Sequence, residues 1–564
     1  MAGTDGSTAP DGIACSMPAE AVEVYDFVDV TLSIEEPTAP NPFTDVSVNG
    51  EFRGPEDAAP VAVDGFCDAA DGSLFRVRFM PRRAGRHEWS VTFRQDGFER
   101  SFDGAFEARE AGRPGLLRVD PDYPWHFLWE GTGRHYFWNG TTTYWLAAWQ
   151  DEDTIESIIH RLARLKVNRL RCAMVGRVKD GSAWFEPNVV PTDEFTFILC
   201  PWVAERPDDV KDPGIDVTRF DLAFWRRYEH LLRCARERDV IVSVVFYVDG
   251  ARPGTDPFGK EGAAGEDEQR YYRYAVSRLA PFANVAWDIS NEYQLFRDEA
   301  WVEKMATLVK QWDPYGHPAS VHGHGQYHFR TSAWSDFAMY QSWDEHGGHD
   351  FMLKNRRLQA ETGRPVPQIN EEYGYEDHYP QGWGESRVAP ARSADDRRRL
   401  AWGMCMAGGY QTTGETADRG TGRGADTGGG WINGRGDETM TMLVGYGYMR
   451  DFFESFEWWK TEPADELVSG HAWCLAEPGR QYAIYLSGGG TTAIRLPEDG
   501  PEGGYDVRAF NPRTGEWQEV ARGEKLTRNQ YAGPGWVSPH VPHGEDWAFL
   551  LRASQEAPTQ REGT

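Results

Sequence analysis

Two stretches of the chain run from an apolar segment directly into carboxylates: Trp287-Asp-Ile-Ser-Asn-Glu292 and Pro367-Gln-Ile-Asn-Glu-Glu-Tyr-Gly374. A carboxyl group beside an amide, as in Asn291-Glu292, suits an acid that protonates a leaving oxygen while the amide holds a neighbouring hydroxyl. A second, ionised carboxylate facing it completes what cleavage of a glycosidic bond needs: one neutral group as acid, one charged group as nucleophile or base. Neighbouring strand residues point to opposite faces, so Glu371 and Glu372 cannot both aim at one point. One is expected to do chemistry and the other to support it. An Asn-Glu pair taken alone is equally a common helix start.

Other residues are candidates by type and place. His322 and His324 belong to a cluster with His317 and His328 around a short apolar stretch. An H-x-H pair can hold a metal only with a further ligand and an open position, so no metal site and no cofactor are expected, and sugar-contacting or structural roles fit better. Tyr247 and Asp249 end an apolar run, where a hydroxyl and a carboxylate suit sugar hydroxyls. Among the 23 tryptophans, Trp145, Trp149, Trp184, Trp343, Trp402 and Trp431 fall in or near predicted strand ends and loops. An indole face stacks well on sugar C–H groups, with Trp145 and Trp343 taken as pocket residues and the rest as core or loop anchors. The glycine-rich run Gly428–Asp437 reads either as a mobile rim or as a plain surface excursion.

The elements that must position these groups follow from periodicity. Residues 18–110 show short alternating segments, such as Phe75-Arg-Val-Arg-Phe and His87-Glu-Trp-Ser-Val-Thr-Phe, bounded by turn residues, which predict a β-sandwich. After Gly112-Arg-Pro-Gly115, strand-like runs alternate with amphipathic helical stretches. Strands are expected at Tyr136-Phe-Trp-Asn-Gly, Asn168-Arg-Leu-Arg-Cys-Ala-Met, Val240-Ile-Val-Ser-Val-Val-Phe-Tyr, Val285-Ala-Trp-Asp-Ile, Ala319-Ser-Val-His, Phe337-Ala-Met-Tyr and Pro367-Gln-Ile-Asn. Helices are expected near residues 154–165, 220–238, 269–280, 300–312, 351–363 and 397–407. About eight such units over residues 118–460 predict a (β/α)8 TIM barrel with its site at the carboxyl ends of the strands. A doubly wound sheet fits less well, because no glycine-rich phosphate loop follows the first strand. Alternation returns over residues 464–553, which predicts a second small sandwich. The expected architecture is therefore multidomain: a central barrel flanked by N-terminal and C-terminal β-sandwiches.

The strand-end motifs resemble the signature of the large clan of retaining glycoside hydrolases built on (β/α)8 barrels. The resemblance implies that Glu292, the Glu of an Asn-Glu ending the fourth strand, is the acid/base. It implies that Glu372, which precedes an aromatic residue and Gly, is the nucleophile at the end of the seventh. Arg171, in Asn168-Arg-Leu-Arg171, is similar to the clan's second-strand Arg and would hold Glu372 ionised. Tyr340 matches the place of a Tyr that contacts the nucleophile. More narrowly, Arg83-Ala-Gly-Arg-His-Glu-Trp-Ser-Val-Thr-Phe, Asn139-Gly-Thr-Thr-Thr-Tyr-Trp145, Ala407-Gly-Gly-Tyr-Gln-Thr-Thr-Gly-Glu415 and Asn511-Pro-Arg-Thr-Gly resemble proteins that join a DUF5060-type sandwich to an apiosidase-like (DUF4038-type) barrel, often with a C-terminal domain of collagen-binding type.

Composition narrows the partners. A formal net charge of −29 repels phosphate backbones and anionic membranes, so a carbohydrate is the expected partner, with no nucleic acid and no membrane; self-association into a homo-oligomer is left open. The first residues lack a basic segment followed by an apolar one, and the seven cysteines are scattered without a C-x-x-C pair. Both features point to the cytoplasm, and hence to exo-action on an imported oligosaccharide or small glycoside. Two rival readings differ in class. A non-catalytic carbohydrate- or protein-binding barrel would be indifferent to Glu292→Gln and Glu372→Gln. A metal-dependent hydrolase built on His322 and His324 would lose activity to a chelator.

Overall fold

A computed structural model describes residues 11–17, 20–177, 195–248, 250–343, 347–374, 393–414, 441–497, 500–524, 527–529 and 533–554. Asp249, Trp184, Trp431 and the run 428–437 lie outside the described residues.

At the centre, eight parallel strands form a nearly closed barrel. In chain order they are β1 (Asn139–Thr142), β2 (Arg169–Ala173), β3 (Ile241–Val245), β4 (Val285–Asp288), β5 (Ala319–Ser320), β6 (Ala338–Gln341), β7 (Gln368–Glu372) and β8 (Tyr410–Thr413). Consecutive strands pair from β1 to β5 and from β6 to β8, and β8 returns to β1. The β5/β6 seam is closed differently. Asp336 donates its backbone N–H to the Ala319 carbonyl, its carboxylate accepts from the Ala319 N–H, and His324 bridges to Gln341.

Helices α1 (Glu152–Arg164), α2 (Leu222–Arg236), α3 (Glu266–Leu279), α4 (Glu299–Trp312), α5 (Gly348–Ala360), α6 (Ala394–Met406) and α7 (Met442–Phe453) accompany the strands. Their starts are chemically marked. The side chains of Asp151, Asp221, Asp298 and Ser393 accept from the first free backbone N–H groups of α1, α2, α4 and α6. One expectation shifts. Tyr136 belongs not to the barrel but to a small antiparallel sheet of Leu117–Val119, Phe127–Trp129 and His135–Tyr136. Phe127 of this sheet packs on Trp138 and Phe337, which precede β1 and β6, so the sheet plugs the amino end of the barrel. The opposite, carboxyl end is left for function.

On the amino-terminal side, a four-stranded antiparallel sheet and a five-stranded mixed sheet, whose edge strand Ala21–Glu23 runs parallel to its neighbour, form a sandwich on α2 and α3. Arg78 joins Asp29 of its own sheet to Glu229 of α2, and Arg278 of α3 joins Glu229 to Asp68. On the carboxyl-terminal side, a six-stranded sheet packs one face against α6 and the other against a three-stranded sheet. There Trp402 stacks on Tyr485 at 4.8 Å, while Asp546, fully buried, accepts from both Arg398 and Tyr485. Trp402 is therefore an anchor between domains.

Candidate active site

The barrel interior below the carboxyl ends is polar and sealed. Alternation turns Arg169 and Arg171 of β2 inward, and both guanidiniums are fully buried. Such charges persist only when matched. Arg169 donates to Glu371 of β7 at 2.6 Å, to Ser243 of β3 at 2.9 Å and to Thr412 of β8 at 3.3 Å. Trp138 covers its face, with the guanidinium carbon 4.6 Å from the ring centroid. Arg171 shares one nitrogen between Asp288 and Asn291, each at 3.0 Å, and gives the other to the Tyr144 hydroxyl at 2.8 Å. Two buried cations thus face two buried carboxylates, Glu371 and Asp288. Burial lifts the Asp288 carboxyl to about 6, and the adjacent Arg171 guanidinium restrains the rise.

Above this floor sit the strand-end groups. Glu292 follows β4 in the left-handed region, with φ 44° and ψ 47°. A non-glycine residue held there carries strain, of order 1–3 kcal/mol, that only its surroundings can impose. It precedes a short helical turn, Tyr293–Leu295, yet its side chain does not cap that turn. Instead its Oε1 accepts from His324 Nε2 at 2.7 Å and from Gln341 Nε2 at 3.1 Å. A helix-start role is thereby replaced by a carboxylate turned toward the strand ends.

Glu372 reaches the same end of the barrel through an irregularity. Tyr340 pairs with Asn370, but Gln341 pairs with Glu372, so β7 carries one extra residue, Glu371, against β6. Such a bulge re-aims the side chain that follows it. Glu371 points down to Arg169 and is fully buried, while Glu372 remains 5% exposed beside the Tyr144 hydroxyl, 3.5 Å from its Oε2. Tyr144 also donates to Asn291 Oδ1 at 2.9 Å, and burial keeps its phenol protonated well above the ordinary range. With Tyr144 and Arg171 both on Asn291 Oδ1, the amide orientation is set and its NH2 is directed elsewhere, as a donor.

Several expectations need correction. Tyr340 does not contact Glu372: it faces the outer layer, where its hydroxyl donates to Gln368 at 2.5 Å and accepts from Arg330 at 2.9 Å. Alternation along β6 gives the inward position to Gln341. Tyr247 also points outward, donating to Glu268 at the start of α3 and packing against Tyr271 and Phe296. Arg171 makes no hydrogen bond to Glu372; Tyr144 stands between them, and the guanidinium acts there only through its field. Trp145 is fully buried behind Tyr144 and offers no open face. Trp343 is partly buried beyond β6.

The histidines do not converge. His317 is buried between Asp313 and the Phe282 carbonyl, and His328 pairs with Glu299. His322 is fully buried next to Arg171 and Arg169, and burial together with those charges holds its imidazole neutral. His324 alone meets a strand-end carboxylate. Tyr144, Asp288, Arg169 and Gln341 were missed from sequence. Tyr144 lies in Asn139–Trp145; Gln341 lies one residue past the expected strand end Phe337-Ala-Met-Tyr.

Because Tyr340 serves the outer layer, Tyr340→Phe is expected to leave kcat/KM within about twofold while costing about 1–3 kcal/mol of stability, through the buried Gln368 and Arg330 groups it abandons. Parallel denaturant titration and activity assays check both halves.

Comparison with known proteins agrees with this architecture. Residues 125–416 match the family described as apiosidase-like, catalytic domain, and residues 21–94 match a domain of unknown function, DUF5060. No curated protein sequence matches. A solved structure from Bacteroides vulgatus, described only provisionally as a glycoside hydrolase, superimposes with a TM-score of 0.75 at 21% identity, covering 95% of this chain and all of that one. A glycoside hydrolase family 5 protein, also from Bacteroides vulgatus, gives 0.58 at 16% identity, covering 79% of this chain and 95% of its own. The structural likenesses speak for the fold. The family match spans more than half of the residues, and the chain belongs to the apiosidase-like family of glycosidases.

Proposed function

We propose that the protein is a retaining, exo-acting glycosidase in which Glu372 is the nucleophile and Glu292 the acid/base. The observation that carries this is the division of labour between the two adjacent carboxylates of β7. Glu371 is sealed against Arg169, whereas Glu372 emerges after the bulge and shares the Tyr144 hydroxyl with Asn291, the neighbour of Glu292. Glu372 is thus the β7 carboxylate that reaches the strand ends, beside the Tyr144 hydroxyl and in the field of Arg171. A carboxylate so placed can form a bond to carbon.

In the first step Glu372 attacks the anomeric carbon as Glu292 passes its proton to the departing oxygen. In the second, water attacks the glycosyl ester while Glu292 takes its proton, and Glu372 departs as carboxylate. The Asn291 NH2, aimed by Arg171 and Tyr144, suits a ring hydroxyl beside the reacting carbon. The family's description makes a terminal apiosyl residue the first sugar to test. Seven free cysteines suit a reducing compartment, and with it a small imported glycoside. The division into sandwich 18–110, barrel 118–460 and sandwich 464–553 belongs to the same reading.

Incubation with activated 2-fluoro glycosides, followed by peptide mass mapping, tests it. The expected result is a glycosyl adduct on Glu372 that Glu372→Gln abolishes, with proton NMR showing product of retained configuration. An adduct on Glu371, or product of inverted configuration, refutes the assignment.

A further inference from the structure

Glu292 is gripped in a way that its role as acid does not by itself demand. Its Oε1 accepts two hydrogen bonds, from His324 and from Gln341, so Oε2 is the oxygen left to carry the acidic proton. The loop that brings His324 there is built for the purpose. Gln294, two residues after Glu292, accepts from the His324 N–H at 3.3 Å, and His324 bridges to Gln341 of β6. Between the two histidines, Gly323 lies so close to the turn that a Cβ would come within 2.5 Å of the Gln294 amide and 2.8 Å of the Tyr293 ring. A side chain at this position would displace the Gln294 amide and press on the Tyr293 ring. The far edge of the imidazole is open, since the His324 side chain is 51% exposed while that of Glu292 is 15% exposed.

We propose that His324 shares the catalytic proton with Glu292, so that the working acid/base is the pair and His324 is its port to solvent. This rests on the role proposed for Glu292. One proton belongs to the pair, either as imidazolium with carboxylate or as neutral imidazole with carboxylic acid. In the first form the imidazole carries it on Nδ1; in the second it has passed through water to Oε2, while Nε2–H keeps its 2.7 Å bond to Oε1. When the bond from carbon to the leaving oxygen breaks, Glu292 delivers that proton to the oxygen, and the pair becomes neutral imidazole with carboxylate. When water attacks, its proton returns to the pair, and the charge is restored. No proton is gained or lost over the cycle, and His324 exchanges with bulk water between turnovers.

The groups facing His324 among the described residues are Glu292 from the end of β4, Glu372 from β7, Gln341 from β6 and His322 from its own segment. The Glu292 hydrogen bond, then the charges of Glu292 and Glu372, raise the imidazole above its ordinary 6.5. A raised imidazole holds the shared proton to higher pH than an unpaired imidazole does.

Two measurements on the full-length protein test the proposal. Histidine side-chain NMR, with the His324 signal identified by its loss in His324→Gln, is expected to titrate above 6.5 in the native protein and to fall by at least one pH unit in Glu292→Gln. A midpoint at or below 6.5, unmoved by Glu292→Gln, overturns the pair. His324→Gln keeps an N–H donor toward Glu292 but cannot titrate. It is expected to move the alkaline limb of kcat/KM down by at least one pH unit and to slow glycosides with poor leaving groups about tenfold or more at pH 7, while dinitrophenyl glycosides lose less than about threefold. An unmoved limb with uniform loss across leaving groups assigns His324 a merely structural role and overturns the proposal. A protein whose NMR midpoint shifts as expected but which cleaves no glycoside refutes the glycosidase reading and leaves the proton-sharing pair intact.

Discussion

Glu372→Gln is expected to lower kcat against any cleaved glycoside by at least about 10³-fold, with the fold intact. Removing a nucleophile deletes the covalent route and leaves only binding and electrostatic assistance, and losses of this order or larger are usual for residues that act as a unit. The fold survives because Glu372 is held by the Tyr144 hydroxyl at 3.5 Å, a contact that an amide oxygen can keep, and because Arg169 and Arg171 are matched by Glu371 and Asp288. Turnover assays with thermal melting alongside check this. A variant retaining more than a tenth of native activity removes Glu372 from the nucleophile role.

The neighbouring substitution has the opposite expected result. Glu371→Gln takes the charge from a fully buried partner of Arg169 and leaves the guanidinium uncompensated among Ser243, Thr412 and Trp138. Breaking a buried pair by removing one member costs about 3–5 kcal/mol, far more than the pair contributes relative to a well-packed apolar substitute. The expected variant therefore unfolds at distinctly lower denaturant. At temperatures where it remains folded, it keeps a Glu372 able to react. A double substitution, Arg169→Met with Glu371→Leu, is expected to recover much of the loss, because it removes both charges and fills the space. If Glu371→Gln is as stable as the native protein but inactive, the roles of the two glutamates are exchanged. These two substitutions, one residue apart, separate chemistry from architecture.

The bulge that distinguishes them also explains which parts of the site were readable beforehand. Within strands, alternation is reliable: Arg169 and Arg171 share a face, and Asp288 faces them, because the pleat repeats every two residues. Beyond a strand's last regular pair the rule lapses. An inserted residue in β7 shifts the later side chain by one face and turns Glu372 to the mouth. In β6, alternation puts Gln341 toward Glu292 and packs Tyr340 among Arg330, Gln368 and Phe351. Tyr247 misleads for the same reason. It lies past the end of β3, and the buried carboxylate of Glu268 draws its hydroxyl outward.

By itself, then, the sequence determined what depends on local periodicity and residue type: a barrel of alternating strands and helices between two β-rich regions, and carboxylates at the ends of its fourth and seventh strands. Those follow from where apolar residues must be buried and where they stop. Only the tertiary structure decided which of two adjacent glutamates reaches the mouth, that Tyr144 stands between Arg171 and Glu372, and that Glu292 is paired with His324. Each of these depends on groups 27 or more residues apart in the chain meeting at one end of the barrel. Their meeting is set by strand register and by the demand that every buried charge find its opposite, and neither leaves a mark at any single position of the chain.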